Sequence, residues 1–449
     1  MSQGQSKTWA VVGGGMMGLT LAWRLAQAGK QVTLFEASQT LGGLAAPWSL
    51  GDITWDRHYH VTLLSDLRTR AVLEGLGLES TMRWVETKTG FLSQGKLSSM
   101  SNAVEYLKLP GLSLVDKFRV GATIVYGSRV NDWRALEQTP VRDWLTGLSG
   151  ASAFERLWQP LLEAKLGDAW RESSAAFIWA TIQRLYAARR TGLKKEMFGY
   201  VPGGYARIVE RFEEVLRTAG VNVQKGQAVQ RIEQQTGGGR VGLRVSTADA
   251  SSDFDRVVLT TTPRVCARMC PGLSSAEQDA FNSVAYQGVV CASLLLERPL
   301  GGYYLSYLLD PGLPFTALVE MSAFVDPTEF GGKTLAYLPR YAPASDPAFE
   351  WSDEHLREVF LEGLLRVYPP VADNPVHAFR ISRVKEVFPL PRLGYSSALP
   401  PATTSIPGLT AVSSAHIVNG TLNVNDTLTI AERAARSLLF NDGRRVYLD

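Results

Sequence analysis

Thr8-Trp9-Ala10-Val11-Val12 runs directly into Gly13-Gly14-Gly15-Met16-Met17-Gly18, and after a helical interval comes Val32-Thr33-Leu34-Phe35-Glu36. A short apolar strand, a G-x-G-x-x-G turn, a helix and a second strand ending in an acid make the βαβ pattern of a dinucleotide-binding fold. Gly13 permits the tight turn off the strand. Gly15 has no Cβ, so the backbone can approach a pyrophosphate, and Gly18 lets the helix pack close to the sheet. The pyrophosphate then lies at a helix N-terminus whose first turn holds Met16 and Met17, where free N–H groups and the macrodipole favour negative charge. Glu36, followed by Ala37, ends the second strand about 20 residues beyond the glycines, where a carboxylate accepts bonds from a ribose diol. An acid there disfavours a 2′-phosphate, so the ligand is FAD or NAD rather than NADP. The bound dinucleotide, not side chains alone, carries the chemistry.

Composition narrows the class. At 449 residues the chain can bury a large core and form two or three domains. Hydrophobic residues make up 45% and charged residues 20%, as in ordinary globular proteins. A net charge of +3 is too small to argue for nucleic acid. Cys266, Cys270 and Cys291 offer neither a disulfide framework nor a metal site, and read as core thiols. That usage fits a reducing cytoplasm. Lys7, the apolar stretch 9–23 and Ala26-Gln27-Ala28 mimic a secretory leader, but glycines interrupt it and Arg24 precedes the cleavage site. No apolar run reaches the about 18 residues that span a bilayer, so membrane contact, at the inner membrane, is expected to be peripheral.

The rest of the chain alternates between the two periods. Asp66–Leu78, Tyr205–Ala219, Ser352–Tyr368 and Asp426–Leu438 read as amphipathic helices, and the tryptophan-rich stretch 100–195 as mostly helical. Thr89–Lys96 reads as a hairpin turning at Gln94-Gly95, and Thr236–Gly239 as a second hairpin turn between Val229–Ile232 and Val241–Ser246. Val221–Val223, Phe254–Thr260, Gly288–Glu297, Tyr303–Leu309, Thr334–Tyr337 and Leu409–Ser413 read as strands, and 44–55 as loop and turn.

Four blocks of this pattern resemble the flavin amine oxidase and protoporphyrinogen oxidase superfamily, which includes phytoene desaturase-like enzymes and, more distantly, UDP-galactopyranose mutases. They are Val11–Gly18 through Glu36 with Leu41-Gly42-Gly43-Leu44-Ala45, then Gly199–Tyr205, then Ala228–Ile232, and Thr260–Pro263 with the segment Ser413–Thr427. The resemblance implies FAD, with Gly42, Gly43 and Leu44 against its pyrophosphate and flavin side. It implies the Val229 backbone at the adenine, and Thr262, Asn423 and Thr427 beside the flavin. Many relatives have arginine where Leu44 stands, and the segment His416–Asn423 departs from their glycine- and alanine-rich version. No second G-x-G-x-x-G appears, so electrons are expected to pass to oxygen, a quinone or another small acceptor.

Candidate chemistry centres on Asp56-Arg57-His58-Tyr59-His60, which the resemblance runs beside the flavin. His60 or His58 would exchange a proton with substrate or reduced flavin near neutral pH. Lys165 and Arg156 are candidates for an anionic group, and Tyr303, Tyr304 and Tyr337 for the wall of a substrate sheet. Arg383, Lys385 and His416 are further candidates. Leu107–Val125, with Lys108, Lys117 and Arg119 among Leu109, Leu112, Leu114, Phe118 and Val120, reads either as a channel mouth facing a membrane or as helix core with solvated lysines.

The expected fold class is α/β, a Rossmann-type FAD domain (1–90, 200–265, 405–449) with a discontinuous sheet-plus-helices substrate domain of α+β type (91–199, 266–404). The expected function is an FAD-dependent oxidoreductase taking hydride from a hydrophobic or conjugated small molecule. The alternatives are a redox-neutral mutase or isomerase of a sugar nucleotide or polyene, and a protein whose FAD is structural or regulatory. No metal is expected, and the oligomeric state is left open.

Overall fold

Strand β1 (Thr8–Val12) lies at the centre of a five-stranded parallel sheet because every residue of it from Trp9 to Val12 is buried on both faces. The strand order is Asn222–Lys225, β2 (Gln31–Glu36), β1, Arg256–Leu259 and Leu409–Ala411. Chain segments far apart in sequence thus complete one sheet. The computed structural model describes residues 7–93, 95–99, 105, 111–189, 197–237, 240–441 and 446–448. Gln94, Lys108, Leu109, Gly238 and Gly239 lie outside the described residues.

Helix α1 (Met16–Gln27) packs on one face of this sheet beside helices Gly204–Thr218 and Val424–Phe440. Their shared core holds Leu19, Leu21, Phe212, Leu216, Ala431 and Leu438, all essentially inaccessible to water. Ile208, Val209, Phe212 and Leu216 recur at helical spacing, which is the apolar stripe visible in the sequence. The other face packs on Phe254, Phe281 and the helix Pro263–Met269. All three cysteines are free and buried, and among the described residues no group of three His, Cys, Asp or Glu could hold a metal ion.

A second sheet has seven strands, in the order Val376–Pro389, Tyr286–Leu296, Thr334–Pro343, Ala317–Glu320, Leu305–Leu308, Thr89–Ser93 and Lys96–Ser99. Helix Asp353–Val367 covers one face through Leu356, Phe360 and Leu364. The opposite face meets Trp55, Phe198 and Tyr200. Helices Leu114–Gly127, Val141–Ser149, Gln159–Leu166 and Ala175–Arg189 form a further layer around Leu145, Trp158 and Trp170.

Several segments differ from the sequence reading. Phe254–Thr260 is two strands. Ser251–Phe254 belongs to a three-stranded antiparallel sheet and Arg256–Leu259 to the parallel one. Asp255 makes the corner, its carboxylate accepting from the Thr8 N–H at 2.8 Å and its own N–H bonding Thr8 O at 3.0 Å. The stretch expected as loop after Gly43 contains the hairpin Pro47–Leu50 and Ile53–Asp56. Val376–Pro389, a strand of 14 residues, escaped the reading because apolar and charged side chains alternate imperfectly on both its faces.

Candidate FAD cradle and active site

The glycines do what their spacing requires. Gly13 has φ +107°, the left-handed region that favours glycine. A Cβ on Gly18 would stand 1.8 Å from Gly13 O, so only glycine lets α1 sit this close. Gly15 caps α1 and bridges to Gly42, whose N–H bonds Gly14 O at 2.8 Å. A Cβ on Gly43 would fall 3.1 Å from Gly15 Cα. Two glycine turns therefore face each other across the helix N-terminus, a cradle that side chains would fill and that suits a diphosphate. Met16 and Met17 are buried in the first turn of α1.

Glu36 Oε2 accepts from the Gly14 N–H at 2.6 Å and Oε1 from the Ser38 N–H at 2.8 Å. Gln227 N–H bonds Glu36 O and Gly226 N–H bonds Ser38 O, both at 2.9 Å. Val229, two residues beyond Gln227, packs against the core cluster that holds Phe35. Thr260 Oγ1 donates to Val12 O and Gly13 O, each at 3.0 Å. Thr262 Oγ1 donates to Glu386 Oε2 at 2.5 Å. Asn423 caps the C-terminal helix by accepting from the Asp426 N–H at 2.9 Å, and Thr427 Oγ1 donates back to Asn423 O at 2.8 Å. Burial raises the Asp426 carboxyl above its ordinary range. The facing glycine turns fit a bound dinucleotide, whereas Thr262, Asn423 and Thr427 use their polar groups in bonds within the protein.

The five residues after the hairpin split in role. His58 Nδ1 lies 3.1 Å from Leu44 O and must donate to it, so Nε2 accepts from Ser382 Oγ at 3.1 Å. Burial pushes its pKa down to about 3, and the ring is a neutral strut between the glycine turn and the second sheet. His60 Nδ1 is buried without a hydrogen-bond partner, 3.7 Å from Asp56 Oδ2. Its ring stands 4.8 Å from that of Tyr205, in a narrow cleft with Trp55, Ile208 and Met321. Tyr59, between them, bonds Tyr341 hydroxyl to hydroxyl at 2.8 Å. Burial, then the nearness of Tyr341, raises the Tyr59 phenol well above its ordinary value.

Lys165 comes to the same place from the helical layer. Its ammonium sits 3.6 Å above the Tyr341 ring and 5.5 Å from that of Phe388. Gln287, directly across the strands from Phe388, has its side-chain nitrogen buried without a hydrogen-bond partner. Phe388 also lines a cleft with Phe177, Ile417, Leu422 and the C-terminal loop. Lys165, Tyr341 and Tyr59 thus form a polar cluster beside Phe388, which is one wall of that cleft.

The other candidates lie elsewhere. Tyr304 is packed edge-on between Phe198 and Phe324. Tyr337 is fully buried and its hydroxyl donates to Asp56 O, supporting the loop from below. His416 Nδ1 accepts from the Ser413 N–H at 3.1 Å, which leaves Nε2 to donate to Pro400 O at 3.2 Å. Burial lowers its pKa, and the neutral ring caps its own loop. Arg156 bonds Gly111 O, Arg383 pairs with Asp353 and Lys385 with Glu350. Tyr341 was missed. Tyr341 was within reach, since it shares a strand face with Tyr337 once that strand is read on to Pro343.

The chain belongs to the flavin-containing amine oxidoreductase family, whose model matches residues 16–439. It is an FAD-dependent oxidoreductase of that family. It is 22% identical over 415 residues to a zeta-carotene desaturase of Synechocystis sp., covering 81% of this chain and 83% of that one. A protein of Exiguobacterium sp. 255-15, provisionally named protoporphyrinogen oxidase, superposes with a TM-score of 0.75 at 18% identity, over 97% of this chain and 99% of that one. A reduced UDP-galactopyranose mutase does so with a TM-score of 0.72 at 15% identity, over 97% and 96%. At these identities the two solved structures establish the shared fold alone.

Proposed function

We propose that this enzyme removes hydrogen from a hydrophobic or conjugated small molecule, as an oxidase or desaturase. The observation that carries the reading is a cleft walled by Phe177, Phe388, Ile417 and Leu422, with the polar groups of Glu137, Tyr395 and Ser414 on its lining and Lys165 Nζ 5.5 Å from the Phe388 ring. An apolar wall with a few convergent polar groups suits a largely apolar ligand oriented at one end. FAD, when bound, supplies an acceptor for a hydride. Phe177, Phe388, Ile417 and Leu422 exclude water from the substrate. Lys165 Nζ and the Tyr341–Tyr59 hydroxyl pair hold protons beside the Phe388 wall, where one can be exchanged with the substrate.

On this reading the parallel sheet and its helices form the cofactor domain, and the seven-stranded sheet with the helical layer forms the substrate domain. Oxygen, a quinone or a similar small molecule then takes the electrons. The decisive experiment is anaerobic incubation of the holoenzyme with porphyrinogens, polyenes, amines and nucleotide sugars, following loss of the flavin's visible absorption. Bleaching by a polyene or porphyrinogen, with stoichiometric oxidised product, is the expected result. Turnover of a nucleotide sugar that needs only catalytic reductant would instead favour a mutase. Failure of every compound to reduce the flavin would favour a structural FAD.

A second observation concerns delivery of such a substrate. Helix Leu114–Gly127 leaves Leu114 at 74%, Val115 at 59%, Phe118 at 78% and Tyr126 at 52% exposure. Arg119 and Arg129 are exposed beside them, whereas Lys117 and Val120 are buried. One face of the helix, with Val120, joins the core of the helical layer, and Lys117 is buried rather than solvated. An apolar face with arginines beside it suits an anionic bilayer surface, and we propose peripheral contact there. Among the described residues no helix is long and apolar enough to cross a membrane.

A further inference from the structure

Among the described residues Arg57 is a cation with no carboxylate paired to it. Its Nη2 donates to Gly43 O at 2.8 Å and its backbone N–H to Ala46 O at 3.2 Å, while its Nε is buried with no hydrogen-bond partner. The charged group that acts on Arg57 is another cation, Arg380, which bonds Ser49 O and stacks on Trp48. Burial and Arg380 both lower its pKa from the ordinary value. A partly buried guanidinium with an idle donor and a like charge beside it is costly unless an anion completes the site.

The position says which anion. Gly43, which Arg57 grips, packs against Gly15 at the N-terminus of α1, where the helix dipole already favours negative charge. Leu44, the next residue in the glycine turn, brings no charge. FAD is the cofactor, and its diphosphate is its only anionic part. We infer that Arg57 is a diphosphate-binding residue of this enzyme, reaching the cradle from the end of the hairpin strand Ile53–Asp56 and standing in for the cation that Leu44 does not provide. A guanidinium offers several N–H donors in a fixed fork, so Nε and the second Nη remain available to phosphate oxygens while Nη2 holds the turn.

The test uses full-length protein stripped of flavin. FAD, ADP and riboflavin are titrated against the wild type and Arg57→Gln, following flavin fluorescence or, for ADP, heat. Arg57→Gln is expected to weaken FAD and ADP binding by about 10- to 100-fold and to leave riboflavin binding unchanged, because riboflavin has no phosphate. Wild-type FAD affinity is expected to fall more steeply with salt than that of the variant. Leu44→Arg placed in the Arg57→Gln background is expected to recover most of the loss. Unchanged FAD affinity in Arg57→Gln would overturn the assignment, as would an equal loss for riboflavin, which would place Arg57 at the isoalloxazine. Circular dichroism and urea unfolding of the stripped proteins separate these results from misfolding. If Arg57→Gln does not fold, Arg57→Lys serves, with a smaller loss confined to FAD and ADP.

Discussion

The FAD cradle and the polar cluster around Lys165 are built by opposite strategies. The cradle is made of backbone: Gly13, Gly15, Gly18, Gly42 and Gly43 approach one another because they lack side chains, and one acid, Glu36, marks its rim. The polar cluster proposed to meet the substrate is made of side chains from Tyr59, Lys165 and Tyr341 beside Phe388, carried by separate elements of the fold. A backbone site tolerates almost no change of residue size. A side-chain site tolerates change of chemistry without loss of fold, which leaves it free to set the substrate.

The sharpest way to break this contrast is at Gly18. Gly18→Ala puts a methyl group 1.8 Å from Gly13 O, and no soluble holoenzyme should be recovered. Gly15→Ala is the control. Its Cβ would meet nothing nearer than Gly43 Cα at 3.8 Å, so the stripped protein should keep its unfolding midpoint while FAD affinity drops. If both variants behave alike, the cradle is not the steric device described.

In the polar cluster, Lys165→Met should retain FAD and slow flavin reduction by about 100-fold, within the range for loss of one proton-handling group. Stopped-flow reduction against substrate concentration separates this from weakened binding. Tyr341→Phe keeps the ring beneath Lys165 but removes the hydroxyl bond to Tyr59, so a loss of about 10-fold or less is expected.

A smaller effect appears in the pH dependence of stability. The His58 pKa falls from 6.5 to about 3 on folding, so the unfolded chain binds a proton that the folded one does not. Its contribution is present above 6.5 and is lost progressively as pH falls toward 3. Thermal unfolding of the wild type should weaken faster over that window than that of His58→Gln, and parallel curves would rule the strut out. The smallest change should follow Phe118→Ser, which lowers sedimentation with anionic vesicles while kcat on a detergent-dispersed substrate stays the same.

Much of the fold was legible because its signals are local. The run from Val11 to Gly18, with Glu36 about 20 residues on, specifies strand, turn, helix and strand through short-range sterics. The amphipathic stripe of Gly204–Thr218 is equally plain. The strand Val376–Pro389 was not, because a strand whose two faces meet different partners has no clean alternation. The helix Leu114–Gly127 deceived in the other direction, since its Lys117 is buried and its Phe118 exposed.

The histidines mark the boundary between the two kinds of information. His58 and His60 are alternatives in a sequence, two residues apart and chemically identical. Tertiary structure gives one of them two hydrogen-bond partners, Leu44 O and Ser382 Oγ, and leaves the other with an unpartnered nitrogen in a cleft. Sequence alone determined that a dinucleotide is bound and which two strands begin its sheet, because a tight glycine turn and its acid lie within one βαβ unit. Only the tertiary structure decided that Lys165 stacks on Tyr341, that Tyr341 bonds Tyr59 and that Arg57 faces the glycine turn. Those contacts join residues whose separation along the chain leaves no periodicity to read, and packing alone brings them together.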